Sequence, residues 1–322
     1  MAAVTPDGAA ASAAGENRVS VASPAPPLPF FYGGQAVIEG VLMRGPSTWA
    51  VAARRPDGNI ALREDRLKSR VYTSPFFRLP FVRGVVGLVE MVHLGTSALM
   101  WSANVKAKAE DIEIGRGAIA VTITISMVFS FALFFGVPLL AGGALNHRGG
   151  SLAFTAVEGL TRALLLIGYL LLISRIPDVR RLFQYHGAEH KTINAFESGA
   201  PVTVEGVRPQ SRLHPRCGTG FLVVVVVVSI VVFTFVGRPP LPLLVASRLL
   251  LVPVIASIAY ELIRLGARHS DNPVVAKLLV PVLAAQYLTT REPDASMMEV
   301  AITAFSAVRA RDLAQEEPEL LV

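Results

Sequence analysis

The chain has 322 residues, 52% of them hydrophobic and only 17% charged, with a mean hydropathy of +0.51. Ordinary soluble domains carry about 25% charge, so the composition excludes a soluble globular protein, and a lone cysteine, Cys217, excludes a disulfide scaffold. The net charge of +6 comes without any basic run interleaved with aromatics. It points to lysine and arginine beside a bilayer and sets nucleic acid aside as a partner.

In chain order, Met1–Pro29 is rich in Ala, Ser, Gly and Pro and lacks an apolar h-region. It reads as a disordered tail, not a secretory signal. Residues 30–75 form a cytosolic region. Trp49, Val51 and Ala53 alternate, Arg55-Pro56-Asp57-Gly58-Asn59 turns, and Ile60 and Leu62 alternate again, which predicts a small β-hairpin. Residues 76–322 then form a helical membrane domain. Four stretches have the ~20 apolar residues of a span: Gly117–Ala141, Leu152–Ser174, Thr219–Gly237 and Leu241–Ile263. A fifth, Gly84–Trp101, carries Glu90 and His93 and reads as an interfacial or re-entrant helix, with a full span as the alternative. Glu90 and His93 have the Glu-x-x-His spacing of di-metal bundles, but one copy is better explained as the polar face of an interfacial helix. Pro273–Leu288, interrupted by Pro281, reads as a membrane-surface helix. Ser296 and Glu299 then form a capping box for a last helix with Val300, Phe305 and Val308 on one side. His147 and His269 read as loop residues. The expected fold is an all-α polytopic membrane protein of about four transmembrane helices plus interfacial helices, with a small N-terminal cytosolic β-hairpin.

Lysine and arginine set the orientation. The leader to Arg116 holds 13, Arg175–Cys217 holds seven, and the segment from Arg264 holds six, while the two short connections contribute only Arg148 and Arg238. The positive-inside rule therefore puts both termini and the 175–218 loop on the cytoplasmic side of a multi-pass cell-membrane protein.

That loop carries the chemistry. In Tyr185-His186-Gly187-Ala188-Glu189-His190-Lys191, a helix would put His186 and His190 on one face, as two ligands of one metal require. Glu189 sits beside them in the inverted H-x-x-E-H arrangement of some zinc peptidases. Downstream, His214 and Cys217 have H-x-x-C spacing, and imidazole with thiolate is a donor set that suits zinc. The bland alternative makes them polar loop residues with Cys217 as a small buried filler. Glu261, near the cytosolic end of the fourth span, is a further ligand, an acid that orients the ligands, or an interfacial carboxylate paired with Arg264. Within the spans, Glu158 and Arg162 are i,i+4, and Arg248 lies on another helix. They read as an intramembrane ion pair with Arg248 docked onto it, ahead of a substrate path.

Four motifs together resemble the YqhQ-like family of bacterial membrane proteins. They are Gly33-Gly34-Gln35-Ala36-Val37-Ile38-Glu39-Gly40-Val41-Leu42-Met43-Arg44-Gly45-Pro46, Tyr185–Lys191, His214-Pro215-Arg216-Cys217-Gly218-Thr219 and Leu288-Thr289-Thr290-Arg291-Glu292-Pro293. The resemblance covers about Phe30 to Arg309. It implies a polytopic bacterial inner-membrane protein with a metal site, in a family sometimes described as predicted metal-dependent enzymes. It adds Glu39 and Arg44 to the candidate residues. Two positions depart from the family: Leu42 where methionine is common, and Gly220 where serine is common, so no hydroxyl is available at 220.

Two functions are in competition. One is a zinc-dependent membrane hydrolase, with His186, His190 and two of His214, Cys217 and Glu261 as ligands and Glu189 as general base. The other is a transporter or assembly protein in which His186, His190, His214 and Cys217 close around a structural metal. The number of protein ligands separates them.

Overall fold

The computed structural model describes residues 32–67, 76–109, 116–145, 150–269 and 272–316. The expected N-terminal tail and His147 lie outside the described residues.

The β-hairpin is present but is half of a larger unit. Strands β1 (Gly33–Val37), β2 (Gly40–Arg44), β3 (Thr48–Arg54) and β4 (Ile60–Arg66) form one antiparallel meander in sequence order. The β3–β4 turn is the expected one, with Gly58 at φ +86° and the Arg55 N–H donating to the Asn59 carbonyl at 2.8 Å. The additional hairpin turns through Ile38 and Glu39, and Glu39 holds φ +52°, a left-handed conformation that few non-glycine residues adopt.

Period-two alternation gives this sheet two buried faces. On one, Val37, Leu42, Trp49 and Val51 meet Leu94 and Ala98 of α1 (Val82–Ala109). On the other, Val41, Met43, Ala50 and Ala52 join Tyr185 and Ala188 of α5 (Pro177–Glu197) and Val300, Phe305 and Val308 of α11 (Ala295–Glu316). Sheet, α5 and α11 thus share one core. The predicted cap of α11 is shifted: Asp294, not Ser296, accepts the Met297 N–H at 2.9 Å. Glu299 instead pairs with Arg54 at 2.8 Å.

The apolar stretches form helices that expose Leu, Val, Ile and Phe, as lipid-facing helices do. The first is α2 (Arg116–Phe131), continued through a π-helical turn (Ala132–Gly136) into α3 (Val137–Leu145). The second is α4 (Ser151–Ile173). A four-residue α6 (Val204–Val207) precedes α7 (Gly218–Val236). The expected fourth span is broken into α8 (Leu241–Leu250) and α9 (Val252–Arg268), bent by 41°. Pro253 lies at the break, where its missing N–H cannot continue the hydrogen-bond ladder. By contrast α10 (Pro273–Thr289) runs through Pro281 without ending there. Four helices among the described residues are long and apolar enough to cross a membrane, and α8 with α9 makes a fifth candidate. That is the pattern of a multi-pass membrane protein. The four include α1, read from sequence foremost as interfacial.

Candidate metal centre

The segment expected to be a loop between spans contains the helix α5. Pro177 at the start supplies a fixed helical φ where its N–H is not needed, and Asp178 lies in the first turn, where acidic groups are favoured. Gly187, although in mid-helix, is there for close approach. A Cβ would run into the backbone carbonyl of Arg291, in the segment after α10 that docks on α5. The Arg291 N–H donates to the Phe183 carbonyl at 2.8 Å, and Lys191 pairs with Glu292.

His186 and His190 share one face of α5, with ring centroids 4.4 Å apart. Cys217 is brought to them as the N-cap of α7, its Sγ 3.3 Å from His186 Nε2 and 3.4 Å from the Thr219 N–H. Each ring is fixed from behind. The Thr289 carbonyl lies 2.9 Å from His186 Nδ1, and the Arg212 carbonyl 2.6 Å from His190 Nδ1. A carbonyl can only accept, so both Nδ1 atoms carry the proton and both Nε2 atoms keep a lone pair, that of His186 facing Cys217 Sγ. Such backbone partners are what metal-bound imidazoles use to fix their tautomer. Ligand atoms of His186, His190 and Cys217 all lie within 4.8 Å of one another. Tetrahedral zinc spaces nitrogen and sulfur donors about 3.3–3.6 Å apart, so small side-chain rotations suffice for an ion to fit.

Glu189 lies on the same helix, its carboxyl packed where Gly34 of β1 leaves room. A Cβ at Gly34 would sit 3.0 Å from Glu189 Cγ and Cδ. Glu189 is buried, and its Oε2 has no hydrogen-bond partner among the described residues. Burial pushes its pKa up to about 7, against the opposing pull of His186 and the Gly34 N–H.

The other candidates are distributed differently. His214 stands one ring further out, 5.6 Å from His190, with Nε2 3.4 Å from Glu197 and 3.1 Å from Arg216. Burial pushes its pKa down, partly countered by Glu197. Glu197 is raised by burial, but His214 and Arg216 outweigh that and hold it below the usual carboxylate range. Glu261 is drawn away from the centre: Arg83 Nε donates to its Oε1 at 2.7 Å, so its partner is Arg83 and not the expected Arg264. Glu39 receives both Arg181 Nε and Nη2, at 2.7 and 2.5 Å, and the Tyr185 hydroxyl at 3.2 Å, clamping the β1–β2 turn to α5. Arg44 pairs with Glu90 of α1 at 3.1 Å. Glu158, Arg162 and Arg248 meet inside the helical bundle, away from the centre.

Several residues went unassigned from sequence. Gln286 is fully buried; its Oε1 accepts the His214 N–H at 2.8 Å and its Nε2 donates to the His214 carbonyl at 2.7 Å, holding the turn before Cys217. An amide within the apolar run that follows Lys277 was the available signal. Gly220 packs tightly against α10: a Cβ there would lie 2.6 Å from Val282 Cγ1, so a serine needs Val282 to shift.

Residues 79–311 match the family described as "Protein of unknown function (DUF1385)". The chain is similar to "Uncharacterized protein YqhQ" of Bacillus subtilis (strain 168), with 35% identity over 305 residues that cover 90% of this chain and 96% of the relative. No solved structure matches it.

Proposed function

The chain belongs to the DUF1385 family, and from the geometry of its Cys–His centre we propose that it is a metal-dependent membrane hydrolase. One observation carries this reading: both histidines spend Nδ1 on backbone carbonyls, leaving two Nε2 lone pairs and a thiol turned toward one point. Two nitrogens and one sulfur suit zinc, and three protein ligands are the number that catalytic zinc uses, with one position left open. A zinc ion held there supplies Lewis acidity at that position.

The chain's own residues supply the remaining chemistry. Glu189, buried beside His186 with an unpartnered oxygen, is suited to take a proton from a water that attacks an ester or amide carbonyl. It can return that proton to the departing alkoxide or amine, so the balance is one water added across one bond. The centre lies where α7 begins and α10 ends, so substrate would come from the membrane surface or the adjacent aqueous phase. With the lysine and arginine distribution, that phase is the cytoplasm.

A closed, structural site is the alternative. It would require His214 to leave Glu197 and Arg216 and turn toward His190, which favours the open reading. Detergent-purified protein should hold close to one zinc equivalent. Glu189→Gln should keep that zinc and its thermal stability yet fail to complement a strain lacking the gene. Full complementation by Glu189→Gln with zinc retained overturns the hydrolase reading and leaves a structural metal.

A further inference from the structure

By length and apolarity α1 passes as a membrane span, but its packing points to another placement. We infer that α1 does not cross the bilayer: it dips into the leaflet adjoining the sheet, tip first, and leaves on the side from which it came.

Two independent observations support this. The first is where the length of α1 goes. Glu90 pairs with Arg44, Leu94 and Ala98 pack on Val37, Leu42, Trp49 and Val51, and the Ser102 hydroxyl accepts the Ile38 N–H at 3.2 Å. From Glu90 to Ser102 the helix is therefore seated on the sheet. On the side of the seat that leads away toward α9 only Val82–Val89 remains for the membrane, about 12 Å at 1.5 Å per residue, against a hydrocarbon core of about 30 Å. The second is parity. The sheet, α5 and α11 share one core, so they occupy one side, and the chain between β4 and α5 must cross an even number of times. The α2–α3 helix and α4, packed on each other, supply two crossings. A third would tear the core apart.

The tip has the chemistry of a leaflet-seated element. Phe76, Leu79 and Phe81 are more than 45% exposed, as are Val89 and Val92 on the helix behind them. Phe81 takes φ +68° to turn the chain back. The tip is anchored to α9, a membrane helix, by Ser257 Oγ donating to the Phe81 carbonyl at 2.7 Å and by Arg83 on Glu261. That ion pair neutralises the charges that enter the lipid with it. The partner is thus the acyl and glycerol layer of the leaflet that faces the sheet.

Single cysteines placed in the full-length chain test this, with an impermeant maleimide applied to either face and the labelling of native Cys217 subtracted. Asp57, Asn104 and Pro240 are exposed positions on the β3–β4 turn, on the far end of α1, and between α7 and α8. Asp57→Cys and Asn104→Cys should react from the same face and Pro240→Cys only from the other. Reaction of Asn104→Cys from the face of Pro240→Cys, or from neither face until denaturation, overturns the inference. A spin label at Leu79→Cys should be reached by oxygen more readily than by a water-soluble nickel complex. The reverse order overturns the seating of the tip in lipid.

Discussion

Two of the buried polar clusters among the described residues, one in the helical bundle and one at the Cys–His centre, differ in what they leave unsatisfied. In the bundle, both Glu158 oxygens are taken: Arg248 donates to Oε1 at 3.1 Å and to Oε2 at 2.6 Å, and Arg162 adds 2.9 Å to Oε1. Arg162 also donates to Ser229 and to the Phe134 carbonyl within the π-helical turn, and both guanidiniums lie over Phe233, at 4.2 and 5.4 Å. Every acceptor is used internally. At the Cys–His centre the reverse holds among the described residues: donor atoms of two imidazoles and the Cys217 sulfur converge, and Oε2 of neighbouring Glu189 has no hydrogen-bond partner. Satisfied polar groups specify packing, whereas convergent unsatisfied ones describe a ligand.

The sharpest way to break that contrast is to disturb the satisfied cluster. Glu158→Gln removes the anion that joins buried Arg162 and Arg248, and breaking such a pair costs about 3–5 kcal/mol. The expected result is a large fall in folded yield and in thermal midpoint in detergent. Replacing Glu158, Arg162 and Arg248 together by Leu, Met and Met should recover most of it. If the triple variant instead folds well but loses function, the cluster is a substrate path and not a joint.

At the unsatisfied cluster the expected effect is on metal, not folding. His190→Ala should lose zinc by more than the roughly 10–100-fold that loss of an outer partner costs, with the circular dichroism of the helices unchanged. Cys217→Ser should retain weaker binding, since oxygen is a poorer zinc donor than thiolate. Zinc content unaffected by both substitutions would mean that the ion is held elsewhere.

The two clusters were also unequally legible. Spans and the intramembrane ion pair follow from local rules, apolar length and i,i+4 spacing, and both are found. His186, His190 and Cys217 were legible because helical period and donor chemistry suffice to group them. For Glu261, chain order gave its depth but not its neighbour, since Arg83 arrives from 178 residues away. The β1–β2 hairpin was not legible, because what requires its glycines is not local. Gly34 and Gly40 are there because a Cβ would strike Leu42, Glu189 or Ala52, and that is a tertiary fact.

A further substitution probes how the sheet and the site are joined. Gly34→Ala puts a methyl against Glu189 and the Leu42 carbonyl, and overpacking of this kind costs about 1–3 kcal/mol. Zinc content should survive in the folded fraction, while complementation should fall with the displaced Glu189. Normal complementation would show that Glu189 can move without consequence, which argues against a general base.

The smallest expected effect is electrostatic and concerns the clamp between Glu39 and α5. Burial raises the Glu39 carboxyl, but the two bonds from Arg181 and the Tyr185 hydroxyl outweigh it and leave the folded-state pKa below the ordinary 4.5. The sign follows from proton counting. Above about pH 4.5 the carboxylate is ionised in both folded and unfolded chains, and the clamp contributes in full. As the pH falls below that value the unfolded chain takes up the proton first, and the contribution is lost as the pH drops through the lower folded value. Arg181 is about half exposed, so screening keeps the gain under about 1 kcal/mol. Glu39→Gln should therefore lower the thermal midpoint slightly at pH 7 and flatten its decline between about pH 5 and pH 3, because one carboxylate that favours folding at the higher pH is gone. A variant as acid-sensitive as the parent would mean that the clamp contributes nothing through charge. The left-handed turn at Glu39 would then be maintained by the packing of β1 on α5 alone.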